Sequence, residues 1–321
     1  MVFPISGLRI RVSRAEAAEI ADRFLKQMNV QVPAGYTRAT TFEIDGWAKA
    51  YLEQTLGIPQ ANRVAQEQGF VYVWYTRWFR PGKEREFRVA VAPDGRVLGF
   101  YTVIPTDAPM PPSRQPKQIA EQFVQQRIGD SLRAYRLVEE YQTPYPKRVE
   151  HTFVWERTDT RLAEARERVA ATVSGDQVIA FTRYLHYPER FSHTFRWHRT
   201  RGSLITMVAS NITLLFGVAL VLILLFGAAR RELRLRVAVA PAVLVTVVRA
   251  LNYLNGLPLR LANMDTSQTW SAFWTREIIT SLLASLFSGL SVGLVVVAAD
   301  LVYRKAFPEG IPLQHWFSRR G

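Results

Sequence analysis

The sequence predicts a tandem α+β domain, each copy one helix plus antiparallel strands, followed by an α-helical membrane bundle of about three spans. Three observations predict it. A helix-then-strand pattern occurs twice in the first part of the chain. Two long stretches in the last third carry no charged side chain. Charge is also unevenly divided along the 321 residues: positions 1–203 hold 30 of the 41 Lys and Arg and 22 of the 27 Asp and Glu. The hydrophobic content of 48% and mean hydropathy of −0.03 therefore average two unlike parts. An aromatic content of 12% excludes a disordered chain. The absence of cysteine excludes a disulfide scaffold and a Cys-ligated metal site.

The first copy spans residues 13–105. Ala17, Ile20, Ala21, Phe24 and Leu25 recur at helical spacing, with Ser13 and Glu16 placed as a capping box. A helical insertion follows near residues 47–68. Alternation in Phe87–Val91, the turn Pro93-Asp94-Gly95 and the run Val97–Ile104 read as a hairpin. A linker at 106–116 comes next, and Pro105 to Pro116 contains five prolines in twelve residues. The second copy spans 117–188, with Ile119, Ala120, Phe123 and Val124 at helical spacing, Ser113 as the expected N-cap, and a turn at Ser174-Gly175-Asp176. Ile20–Gln27 matches Ile119–Gln126 at an offset of 99, which also superposes Tyr36 on Tyr135. Trp74 matches Trp155 at an offset of 81, as do Val97–Phe100 and Val178–Phe181. The 18-residue difference between the offsets is the insertion in the first copy. A proline linker permits more than one packing of the copies.

Residues 189–203 mix aromatic and basic side chains and read as an amphipathic juxtamembrane collar. The first span, 204–227, is 24 uncharged residues, about 36 Å of helix against a hydrocarbon core of roughly 30 Å. A weaker second span, 237–259, contains Pro241 and Arg249. A charge at mid-span costs at least ~2.5 kcal/mol and faces protein or water. Arg249, Asn252 and Gly256 form one stripe, read either as an intramembrane polar site or as an Arg satisfied by a carboxylate such as Glu277. The third span, 278–299, carries Ser281, Ser285, Gly289 and Gly293 at four-residue spacing, a face that lets another helix approach closely. Residues 300–321 form a basic tail. Arg230, Arg231, Arg234 and Arg236 after the first span, with Arg304 and Lys305 after the third, place those segments in the cytoplasm and the large domain outside. Arg190, Arg196, Arg199 and Arg201 at the outer end of the first span run against that rule. Met1–Arg14 has neither an apolar core nor a cleavage site, so the expectation is a start upstream of this one.

The five histidines include no HExxH pattern, and His193 and His198 miss the i, i+4 spacing of paired ligands on one helix face. No Walker loop or dinucleotide fingerprint is present. No catalytic, cofactor-binding or metal-binding residue is therefore assigned. Trp74, Tyr75, Trp78 and Phe79 beside Arg77 and Arg80 have the composition of a base-stacking patch. They read more simply as strand residues. The net charge of +14 is better matched to anionic lipid headgroups than to nucleic acid.

A capped helix, Tyr51-Leu-Glu-Gln-Thr-Leu-Gly57, Trp78-Phe-Arg-Pro81 leading to Glu86-Phe-Arg-Val89, and His151-Thr-Phe-Val-Trp-Glu156 occur in one order. Together they resemble the amino-terminal region of bacterial CPBP-type membrane proteins, the CAAX protease and bacteriocin-processing related intramembrane metalloproteases, over roughly residues 13–310. The resemblance implies a bacterial cell-membrane location and an extracytoplasmic tandem domain that presents or gates substrate. It also implies a divalent metal, zinc, in a protease core. The departure is sharp: the only Glu-Glu, Glu139-Glu140, has Pro144 where a Glu-Glu-x-x-x-Arg helix needs Arg, so the catalytic core is expected to be absent from this chain. The implied partners are the missing catalytic helices or another membrane protein, and a peptide or protein ligand of the domain. The alternative is a non-enzymatic, membrane-anchored sensor whose repeats resemble PepSY units.

Overall fold

The computed structural model describes residues 8–128, 132–159 and 162–308. The chain divides into two compact units, one comprising Met1–Thr194 with Pro258–Thr269, the other Phe195–Leu257 with Trp270–Gly321. Unit one contains α1 (Arg14–Gln27), β1 (Thr37–Ile44), α2 (Gly46–Leu56), α3 (Ile58–Gln68), β2 (Tyr72–Phe79), β3 (Glu86–Val91) and β4 (Val97–Val103). It continues through α4 (Pro116–Ile128), β5 (Tyr135–Tyr145), β6 (Arg148–Arg157), β7 (Arg166–Ser174) and β8 (Gln177–His186). The long helix α5 (Glu189–Ala229) leaves it, followed by α6 (Arg236–Asn255), the short α7 (Leu257–Ala262) and α8 (Trp270–Ala306).

The eight strands form one antiparallel sheet in the order β1-β2-β3-β4-β8-β7-β6-β5. Each half is a meander, and the halves join where β4 pairs β8 through Gly99↔Thr182, Phe100↔Phe181 and Tyr101↔Ala180. Glycine is required at the join, because a Cβ on Gly99 would lie 2.6 Å from the carbonyl oxygen of Phe181. The 106–116 segment does not let the halves drift. The buried Arg148 donates to the carbonyls of Pro105 (2.6 Å) and Ile104 (3.2 Å), holds Glu150 at 2.8 Å and lies over the Tyr145 ring. The free packing expected of a proline linker is therefore replaced by one fixed arrangement.

Helices α1 and α4 bury their apolar stripes on one face of this sheet. Ala17, Ala21, Phe24, Ala120, Phe123 and Val124 share a core with Trp78, Phe87, Phe153, Trp155 and Phe181. The rings of Phe24, Phe100, Phe123 and Phe181 follow one another at 5.5, 5.8 and 5.5 Å. Each buried Phe contributes about 1.5–3 kcal/mol by area, so this line of rings helps tie the halves together. The start of α1 is the expected capping box of Ser13 and Glu16. The start of α4 is not at Ser113. Gln115 accepts the Ile119 amide at 3.1 Å and Pro116 opens the helix, a position where a missing N–H costs nothing. The Ser113 hydroxyl is buried without a protein partner.

The insertion near 47–68 is the pair α2 and α3. Asp45 caps α2 by accepting from the amides of Trp47 and Ala48, each at 3.0 Å. Gly57, at φ +74°, turns the chain into α3. Tyr51 then fixes the insertion to the other half of the sheet: its oxygen accepts from the amides of Ala165 (3.0 Å) and Glu164 (3.2 Å).

In unit two, α6 and α8 pack antiparallel. Among the described residues two helices are long and apolar enough to cross a membrane, Arg236–Asn255 and Trp270–Ala306, with mean hydropathies of 1.8 and 2.3. Large side chains such as Leu244, Leu251, Leu283 and Phe287 point outward, and Phe287 is 72% exposed. Apolar surface of that kind favours membrane association. The expected span 237–259 is shorter than its composition suggests, since α6 ends at Asn255 and Leu257 opens α7. Of the expected first span, α5 contributes a described apolar stretch at Leu215–Ala229. The side chains of 192–205, most of the expected collar, and residues 309–321 of the tail lie outside the described residues.

A buried arginine clamp on the 258–269 segment

Unit one includes a piece of chain from far downstream, and it is attached through a buried polar site. Arg77 on β2 and Glu86 on β3 are 7% and 5% exposed. Both occupy the sheet face opposite α1 and α4, since their strand neighbours Trp78 and Phe87 point into the helix-covered core. The Arg77 Nε donates to Glu86 at 2.8 Å and Nη2 to its other oxygen, a bidentate pair. The remaining nitrogen, Nη1, donates to the carbonyls of Ala262 (2.7 Å) and Met264 (2.8 Å). Thr266 Oγ1 donates to Glu86 at 3.2 Å, and the Gly82 amide to the Thr266 carbonyl at 2.7 Å. Met264 is 2% exposed. The Phe79 ring lies 4.4 Å beneath the guanidinium.

Burial raises the pKa of Glu86, but the hydrogen bonds and charges of Arg77 and Arg88 outweigh it and hold the carboxyl below its ordinary range. The site is thus an ion pair whose spare donors are spent on main-chain carbonyls. It is a structural clamp, its charged and hydroxyl groups committed to one another and to the main chain. Arg77, one of the residues with base-stacking composition, is committed here and does not face solvent.

Among the described residues no group of three or more His, Asp or Glu could hold a metal ion. Glu139-Glu140 lies in strand β5, where successive side chains point to opposite faces, and Glu139 pairs with Arg168 at 2.6 Å. That geometry does not fit a metalloprotease helix.

The residues singled out in the membrane segments separate into two cases. Ser285, Gly289 and Gly293 are buried, and Ser281 is half-buried, along one stripe of α8. A Cβ on Gly289 would lie 2.0 Å from Thr246 Oγ1 and 2.5 Å from the Ala242 carbonyl; one on Gly293 would meet Ala242 and Ala238. The small-residue face is therefore filled by α6 of the same chain, not left open for helices from elsewhere. Arg249 and Asn252 lie exposed on α6. Glu277 does not satisfy Arg249: it is paired with the Tyr253 hydroxyl at 3.1 Å and with Arg276 at 3.3 Å. The polar stripe is not a bundle-interior site among the described residues.

The clamp itself escaped sequence reasoning. Its partners are 185 and 187 positions apart, and the only local signal is an Arg and a Glu on adjacent strands at matching parity. Comparison with models of known protein families, with curated proteins and with solved structures finds no match for this chain.

Proposed function

We propose that this chain is the non-catalytic amino-terminal portion of a CPBP-type membrane protease, with its domain presenting or gating substrate. The observation that carries the reading is the clamp. The 258–269 segment is built into the domain, and its two ends continue directly into α6 and α8. On this reading a change in the sheet at Arg77 and Glu86 bears on the chain that connects two helices long and apolar enough to cross a membrane. Metal and catalytic side chains belong, on this reading, to a protease core outside the residues described.

The domain is read as a tandem repeat with PepSY-like halves. Two features support this: each half is a four-stranded meander with one helix on the same face, and Phe100 and Phe181, equated by sequence, face each other across the join. That is the pairing a local two-fold axis demands. The same axis changes one equivalence. Val89 faces Phe100 and Ala171 faces Phe181, so Trp78, opposite Phe87, corresponds to Trp155, opposite Val169. Trp74 corresponds to His151, opposite Val173.

The topology is read as three spans in a bacterial cell membrane, domain and 258–269 segment outside, basic connections within and facing anionic headgroups. It is supported by parity: two crossings, by α5 and α6, return 258–269 to the side of the domain it is folded into, and α8 crosses a third time. A second reading, a self-contained membrane-anchored sensor, is favoured by the ladder of α8 being already occupied by α6.

Isolation of the protein from native membranes with an antibody to the domain tests the first reading. Recovery of a Glu-Glu-x-x-x-Arg protease helix, continuous with this sequence or bound to it, supports it. Recovery of the protein without such a helix leaves the sensor. If Arg77→Met leaves that protease's cleavage of a membrane substrate unchanged, gating is lost.

A further inference from the structure

On the helix-bearing side of unit one, the end of α1, the flank of α4, the proline segment and the start of β8 enclose a groove of about 1010 Å³. Five side-chain carboxamides line it: Asn29, Gln31, Gln122, Gln126 and Gln177. All five are solvent-exposed, and among the described residues none of their side chains has a hydrogen-bonded protein partner. Gln122 and Gln126 lie one turn apart on α4 and so point the same way. Between the carboxamides the lining is apolar and includes Phe123, Ile179 and two methionines, Met28 and Met110. The only charged groups are Arg85 and Asp176, of opposite sign.

Each carboxamide offers a donor and an acceptor side by side, the complement of a peptide unit. Unbranched methionines adapt to side chains of differing shape. A phosphate or nucleotide has no cluster of cations to meet here. A lipid tail would leave the carboxamides desolvated without partners, which is costly. We propose that this groove binds an extended peptide segment, its main chain held by the carboxamides and its apolar side chains by the floor. The proposal deepens the substrate-presenting reading and rests on it only for where the peptide comes from.

The test uses the full chain in lipid nanodiscs and fluorescein-labelled oxidised insulin B chain, an unfolded peptide, followed by anisotropy. Saturable binding is expected, competed by unlabelled B chain. The double variant Gln122→Ala/Gln126→Ala should weaken it about tenfold, two hydrogen-bonded amides being lost. Ile119→Trp, which fills the groove, should abolish it. Absence of binding by protein with a native near-ultraviolet spectrum overturns the proposal. So does binding unaffected by either variant, or displacement by palmitate and not by peptide. Peptide binding in a protein isolated without a protease helix would sink the protease reading and leave the groove standing. The converse result would sink the groove alone.

Discussion

Arg77 uses every nitrogen of its guanidinium, two on Glu86 and one on the carbonyls of Ala262 and Met264. Removing it takes the bidentate partner from the buried Glu86, which keeps Arg88 at 3.0 Å and Thr266 at 3.2 Å, and strands two main-chain carbonyls. Arg77→Met should cost about 3 kcal/mol of domain stability, the low end of the range for breaking one side of a buried pair, because Arg88 still faces the carboxylate. It should also open the 258–269 segment to trypsin at Arg260, read by mass spectrometry of the fragments. Arg77→Lys should rescue little, because a point charge cannot reproduce the planar fork. Glu86 sets a pH dependence of definite sign. Its folded pKa lies below the unfolded value, so its contribution is fully present above the ordinary carboxylate range of about 4.3. That contribution is lost as pH falls through the folded value. Thermal unfolding followed between pH 7 and pH 3 should show a steeper acid loss in the wild type than in Glu86→Gln.

At the scale of elements, two glycines fix how pieces approach. Gly99→Ala pushes a methyl group into the Phe181 carbonyl at the strand pair joining the halves. The sheet should lose cooperativity there, with hydrogen exchange at Phe100 and Thr182 rising well before exchange in β2 or β6. Gly289→Leu should drive α8 away from Thr246 and Ala242, lowering the thermal stability of the helix pair in detergent, while Leu283→Ala on the outer face should not. These elements differ in how far their residues announce them. α1 was legible because a local capping box and a 3.6-residue stripe both belong to it. The start of α4 is ambiguous in the sequence because Ser113 has the chemistry of a cap while Pro116, three residues on, opens the helix. The Ser281–Gly293 stripe announces close packing, but small side chains carry no information on which helix they meet. Proline content in 106–116 suggested freedom, and Arg148, a distant residue in β6, removes it.

For the whole molecule, the division into an α+β part and an apolar helical part was legible from charge alone, because burial in lipid and burial in a water-soluble core demand different compositions. The return of 258–269 to the domain was not legible, since it depends on contacts between residues nearly two hundred positions apart. If the three-span reading holds, single cysteines at Asp107 and Ser267 should react with an impermeant maleimide in intact cells. A cysteine at Arg234 should react only after permeabilisation. The natural absence of cysteine makes the background clean.

The most direct measurement is a disulfide between Gly82→Cys and Thr266→Cys in native membranes. The Gly82 amide lies 2.7 Å from the Thr266 carbonyl, which sets the two main chains side by side. Mild oxidation should link the two halves of the chain, so that tryptic fragments bearing each cysteine stay joined until reduced. Fragments that separate without reductant, from protein whose domain remains folded, would contradict the docking of 258–269 on the sheet.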